Sequence, residues 1–260
     1  MVTKVTEERE RSCKREKGRY QMKITPDRTV AEIADAYPET VRIFELKGID
    51  YCCGGKRALE SVSQAKSLDS AELIQELREV VGKSPDRPSG WTDVPLKGLV
   101  HHIISRHHGP CRLESAKLLA LLSKVVARHG AEHPELEEAQ RLFSALSNEL
   151  STHMLKEEQV LFPFIERLEQ AKDRNQPRPS AFFGTVNNPI RHMMEDHDDA
   201  GVLSDQIREI TKNYAVPEAA CNSYRALLHG LAEFERHLHV HVHLENNILF
   251  PRACELEKAA

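Results

Sequence analysis

The chain has 260 residues, 40% of them hydrophobic and 29% charged, ordinary proportions for a globular protein that exclude wholesale disorder and fit one large domain or two unequal ones. Its 36 Lys and Arg against 40 Asp and Glu give a formal net charge of −4, so the basic excess that a phosphate backbone demands is missing and no nucleic-acid partner is expected. No stretch approaches the roughly 18 apolar residues of a membrane span, and charges fill the start, MVTKVTEERERSCKREKGR, where a signal peptide needs its apolar core; a cytoplasmic protein with no membrane partner is expected.

Residues 1–24 form a charge run without apolar anchors and are expected to be a mobile leader. Residues 25–82 carry short helical patterns, two of them opened by capping boxes, Thr29 with Glu32 and Asp69 with Glu72. Between them stand adjacent thiols, Cys52 and Cys53, followed by Gly54 and Gly55. A helix is expected to start near Lys56, and its free amides and a nearby cation would lower the thiol pKa and suit Cys52 and Cys53 to metal or nitrosyl transfer. Residues 83–94 are expected to be a linker, since GKSPDRPSGWTDVP packs three Pro and two Gly into a helix-interrupting run.

The rest, 95–258, reads as four long helical stretches, roughly 95–129, 134–170, 189–213 and 217–255. On the last, Leu227, Leu231, Phe234, Leu238, His241, Glu245 and Ile248 alternate by fours and threes, the seam a bundle turns inward; on the second, Phe143, Leu146, Leu150, His153, Glu157, Val160 and Phe164 do the same. Each seam is interrupted by a His and a Glu. HMLKEEQVLFP from His153 recurs as HVHLENNILFP from His241, 88 residues on, and the preceding helices offer His108 and His197, 89 apart. The chain is thus a doubled helical hairpin in which each half supplies one His from its first helix and a His-x-x-x-Glu from its second.

Residues at i and i+4 share a helix face, so His153 with Glu157, and His241 with Glu245, can reach a common point. Buried ionised carboxylates cost several kcal/mol each unless a cation compensates them. Two metal ions, each with two imidazoles and both carboxylates bridging, meet that demand and leave open positions for a small ligand. Imidazole with carboxylate suits iron, manganese and mixed pairs, and the nitrogen-rich set points to a haemerythrin-like centre of two non-haem iron ions, oxo- or hydroxo-bridged. Pro110 cannot donate to Arg106, so a kink is expected beside His108.

The strings YCCGGK (Tyr51 to Lys56), HMLKEEQVLFP and HVHLENNILFP resemble the repair-of-iron-centres (RIC) family over about residues 26–255. The resemblance implies an all-α protein, a haemerythrin-like four-helix bundle behind a small N-terminal ScdA-type helical domain. It implies iron ligands His108, His153, Glu157, His197, His241 and Glu245, with Glu157 and Glu245 bridging, and places the family's N-terminal cysteines on Cys52 and Cys53. It further implies repair of iron-sulfur clusters damaged by nitrosative or oxidative stress through iron donation, with damaged iron-sulfur proteins as partners and NO or O2 as small ligands. Under that reading the chain is an iron donor rather than a turnover enzyme; the alternatives are nitric oxide reduction at the open positions and a sensor of O2 or NO. Oxygen-carrying haemerythrins have Asp five residues after the last-helix His, where this chain has Asn246, which disfavours dioxygen storage. Of the other His, His107 is expected at the surface or behind the ligands, and His239 and His243 are expected to be solvated.

Overall fold

The computed structural model describes residues 24–83, 90–91 and 94–259. The leader expected over 1–24 therefore lies outside the described residues except for Ile24, which is fully buried in the core of the small domain.

That domain packs α1 (Val30–Ala36), α2 (Val41–Leu46), α3 (Leu59–Ala65) and α4 (Ser70–Gly82) around Ile33, Phe44, Tyr51, Leu59 and Leu77. The capping box opens α1: Thr29 Oγ1 accepts from the Glu32 amide and the Glu32 carboxylate accepts from the Thr29 amide. At α4 the Asp69 carboxylate accepts from the Ala71 and Glu72 amides. The starts of α1 and α3 also satisfy one another, since the Val30 and Ala31 amides donate to the Arg57 and Gly55 carbonyls while the Leu59 and Glu60 amides donate to the Arg28 and Pro26 carbonyls. This cross-pairing delays α3 to Leu59, with Ala58 as its cap, so no helix begins at Lys56.

Beyond it stand four rods. The first joins α5 (Leu96–Ile103) to α6 (Gly109–His129) through a π turn at Ile104–His108; the second joins α7 (Glu135–Lys156) to α8 (Phe162–Asp173) through a π turn at Glu157–Leu161. The third is the unbroken α9 (Asn187–Ile210), and the fourth joins α10 (Asn222–Leu244) to α11 (Phe250–Ala259) through a π turn at Glu245–Leu249. In the ring, α7 packs against both α6 and α9, and α10 closes on α6 and α9. Among the described residues no helix is long and apolar enough to cross a membrane.

Each π turn precedes a proline by one residue: Gly109 then Pro110, Phe162 then Pro163, Phe250 then Pro251. A proline has no amide for the i−4 carbonyl and its ring crowds that carbonyl. Widening the turn, so that the Gly109, Phe162 and Phe250 amides donate five residues back to Ile104, Glu157 and Glu245, accommodates it within a continuous rod. The kink expected at Pro110 is thus resolved as a π turn. On the second rod the extra residue moves the buried phase from Val160, which is only half-buried, to Leu161.

The duplication extends to the helix starts. Glu169 on α8 accepts from the Leu96 and Lys97 amides at 2.6 and 2.9 Å, and Glu257 on α11, 88 residues later, accepts from the Val186 amide with both oxygens at 3.0 and 3.1 Å. Each hairpin's second rod therefore caps its first. Glu257→Ala would strand the buried Val186 amide, at a cost of about 1–3 kcal/mol. The expected result is a melting temperature lower by roughly 3–10 °C in calorimetry; an unchanged value would mean that the amide finds another acceptor.

The bundle core falls into two apolar clusters. One gathers Leu122, Phe143, Leu146, Leu231 and Leu238; the other gathers Leu99, Ile103, Phe164, Ile190 and Leu249. Between them lies a polar layer.

Candidate metal centre

The polar layer consists of His108, His153, Glu157, His197, His241 and Glu245, none more than 2% exposed. A site residue sits at the edge of every π turn: His108 ends the first, Glu157 opens the second and Glu245 opens the third. π turns recur at functional sites because the added residue re-aims the side chains that follow. Phe162 lies parallel to the His108 ring, and its repeat mate Phe250 parallel to His197, so each first-helix imidazole is backed by an aromatic plate.

The geometry divides into two overlapping sets. His108 Nε2 lies 3.1 Å from His241 Nε2, and His153 Nε2 lies 3.0 Å from His197 Nε2. Glu157 and Glu245 belong to both sets, so that His108, His241 and the two carboxylates could hold one ion and His153, His197 and the same carboxylates another. Glu245 faces both sets: its Oε1 is 3.0 Å from His241 and its Oε2 is 3.1 Å from His197. Glu157 places Oε2 between His108 at 3.4 Å and His153 at 3.2 Å.

Outer contacts fix which ring nitrogen faces inward. His108 Nδ1 donates to Glu158, itself held by Arg112; His153 Nδ1 donates to Asp196, held by Lys156; His197 Nδ1 donates to Asn246 Oδ1 at 2.9 Å. With Nδ1 protonated, the Nε2 lone pair points into the layer. Asn246, which in the sequence stands out only as a departure from Asp, is one of these outer partners. Asn246→Leu is expected to lower metal affinity by roughly 10–100-fold, measured by competition with a chelator; unaltered affinity would remove Asn246 from this role.

The donor set fits a cation on grounds internal to this structure. Both oxygens of Glu157 and Oε2 of Glu245 are buried without a hydrogen bond of good geometry, a cost proteins avoid unless something else compensates. Burial opposes the charge on Glu245, yet His241, His108 and His197 outweigh it and hold the carboxyl well below the ordinary range. Burial likewise opposes protonation of His153, but Glu157 and Glu245 bring its pKa up to about 9. The layer carries separated charge that needs positive countercharge, whether protons or metal. Four imidazoles and two carboxylates are a donor set for first-row transition metals.

Cys52 and Cys53 lie outside the polar layer, in the small-domain loop between α2 and α3. The Asp50 carboxylate accepts from the Cys52, Cys53 and Gly54 amides, and the helix start expected near Lys56 to stabilise a thiolate lies three residues further on, at Leu59. A shared contact with Cys53, burial and the Asp50 charge all push the Cys52 thiol up, so the lowered thiol pKa expected from the sequence is corrected for Cys52. The loop is docked on the fourth rod: the Tyr51 carbonyl accepts from His243 Nδ1 and Asn247 Nδ2, and the Cys52 carbonyl accepts from Asn247 Nδ2 at 2.8 Å. His243 is therefore buried rather than solvated, and His239 is half-buried against the Tyr51 ring. A cleft of about 1480 Å³ between the small domain and the bundle includes Cys52, Cys53 and His197 in its wall. His107 is half-buried and lies parallel to the His241 ring at 5.6 Å.

The fold and the layer define a class. Residues 99–253 match the Hemerythrin HHE cation binding domain, and residues 26–81 match ScdA_N, a Domain of Unknown function (DUF542). The chain is 35% identical to the iron-sulfur cluster repair protein YtfE of Pectobacterium atrosepticum over 227 residues, 87% of this chain and 96% of that protein. Over the same coverage it is 36% identical to the YtfE of Edwardsiella ictaluri and 34% identical to that of Yersinia pestis. It belongs to the family these proteins form.

Proposed function

We propose that this protein repairs iron-sulfur clusters damaged by nitrosative or oxidative stress, and that it does so by donating iron from a centre of two non-haem ions. His108 and His241 would hold one ion, His153 and His197 the other, and Glu157 and Glu245 would bridge them. Bound there, the pair supplies redox-active iron whose affinity changes with oxidation state. The observation that carries the reading is the pair of four-residue sets sharing both carboxylates inside the buried layer of the bundle. Membership in a family whose relatives are named for cluster repair supplies the client class, damaged iron-sulfur proteins.

Within this reading the chain's own residues do three things. Glu158, Asp196 and Asn246 orient the imidazoles, Phe162 and Phe250 cover two of them, and the two apolar clusters enclose the layer from both ends. Cys52 and Cys53, beside the cleft that reaches His197, are the acceptors for released iron; their role requires deprotonation as the ion arrives, because Cys52 is held protonated beforehand.

The test is a reconstitution assay. Iron-loaded protein should restore activity to a cluster enzyme inactivated by nitric oxide, stoichiometrically and without gas turnover, and Cys52→Ser with Cys53→Ser should slow the transfer. Catalytic release of nitrous oxide, with the thiols dispensable, would replace repair by nitric oxide reduction.

A further inference from the structure

On α10 the ligand pair His241 and Glu245 is the inner end of a longer series. His229, Glu233, His237, His241 and Glu245 follow one another at intervals of four residues. Steps of four rise about 6 Å and rotate the stripe by roughly 40° each time, so such a ladder winds gradually around its helix. Here it winds from solvent to interior: His229, Glu233 and His237 are exposed, and His241 and Glu245 are buried.

The ladder runs beside a cavity. A space of about 360 Å³ between α6 and α10 touches His229, Glu233 and His237 at its outer part and His241 at its inner end, with His107 and Glu114 on the facing wall. At about 30 Å³ per water, that volume accommodates a cation with part of its hydration shell. Glu233 lies near enough to His229 and His237 for both to stabilise its charge. Arg236 takes only one of its carboxylate oxygens, both hydrogen bonds going to Oε2, so Oε1 takes part in neither. His107 stands parallel to His241 where the cavity meets the polar layer.

We propose that this cavity is the passage by which a divalent first-row metal ion exchanges between the centre and bulk solvent, separate from the cleft beside His197 that serves Cys52 and Cys53, with His229, Glu233 and His237 as its outer docking ligands and His107 beside its inner mouth. The residues are the nitrogen and oxygen donors such ions prefer, spaced so that one set of ligands can be exchanged for the next without a bare ion in between. The proposal rests on the dimetal reading above for its destination, but it concerns rates, whereas that reading concerns occupancy.

The experiment follows anaerobic loading of the metal-free full chain with ferrous iron, and removal of iron from the loaded chain by a chelator too large to enter the bundle. His229→Gln, Glu233→Gln and His237→Gln combined should slow both rates by at least about tenfold, the size of effect that local ligand and charge steering has on ion capture. The final iron content should match that of the unsubstituted chain, and His192→Gln, an exposed histidine on α9, should leave the rates alone. Should the triple variant lose its helical circular dichroism, His229→Gln and His237→Gln singly carry the comparison. Equal rates in the variants and the unsubstituted chain would overturn the passage. An unsubstituted chain that saturates below two ions would count against the dimetal reading instead.

Discussion

If the proposed two-ion centre holds, Glu245→Ala is expected to reduce bound iron from two ions per chain to one or none. Its two oxygens serve different histidine pairs, Oε1 towards His241 and Oε2 towards His197, so a single truncation takes a ligand from both positions. The loss should exceed the roughly 10–100-fold that follows removal of an outer hydrogen-bond partner, because an anionic donor in a buried layer goes with it. Metal analysis of protein made in iron-rich medium, with Mössbauer spectra to distinguish a coupled pair from isolated ions, reads the outcome. Two coupled ions in the variant would show that Glu245 is not a bridge.

Stripping the metal is expected to be the largest perturbation of stability. A ligand that binds only the folded chain, at 1,000 times its dissociation constant, contributes about 4 kcal/mol per site, hence about 8 kcal/mol for two. For a domain of this size that corresponds to roughly 15–30 °C in melting temperature. The physical origin is visible in the layer, where Glu157 has both oxygens buried without a good hydrogen bond. Calorimetry of the iron-loaded and chelated protein provides the comparison, and coincident transitions would mean that the layer is already compensated by its own protons.

Much of the layer was legible before any coordinates. His153 with Glu157, and His241 with Glu245, stand at a spacing that leaves no choice of face, and the recurrence at 88 residues makes coincidence an unattractive account. All six residues meet between the two apolar clusters. The partners behind the imidazoles were less legible. Glu158, Asp196 and Asp198, next to ligand positions, are candidates from sequence for accepting an imidazole's outer N–H, but charged helix neighbours are usually just solvated; the packing of rods far apart in sequence brings Glu158 to His108 and Asp196 to His153. Glu169 and Glu257 carry no helix-capping motif of their own in the sequence, yet their shared offset of 88 was a signal available there.

The thiol loop was misread for a specific reason. A helix start near Lys56 is expected to stabilise the thiolates, but the helix begins only at Leu59 with its first amides on the Arg28 and Pro26 carbonyls, while Asp50, two residues before the pair, takes the loop's own Cys52 and Cys53 amides in the manner of an Asx turn. An Asp two residues ahead of a Cys-Cys-Gly-Gly run was the clue. The π turns could likewise have been anticipated at Phe162 and Phe250 as well as at Gly109, since each stands immediately before a proline inside an otherwise helical pattern.

The division of ligands has a consequence for how such a protein can be built. Each four-residue set draws one histidine from either half of the chain: His108 pairs with His241 across the halves, and His153 with His197. Neither half alone completes a binding position. A solitary hairpin would become competent only by associating with a second copy about a twofold axis, so the tandem chain is a covalently fused version of a symmetric pair. Cutting the connection between Asp173 and Asn187 should therefore yield fragments that recover the centre when mixed, and that remain empty apart.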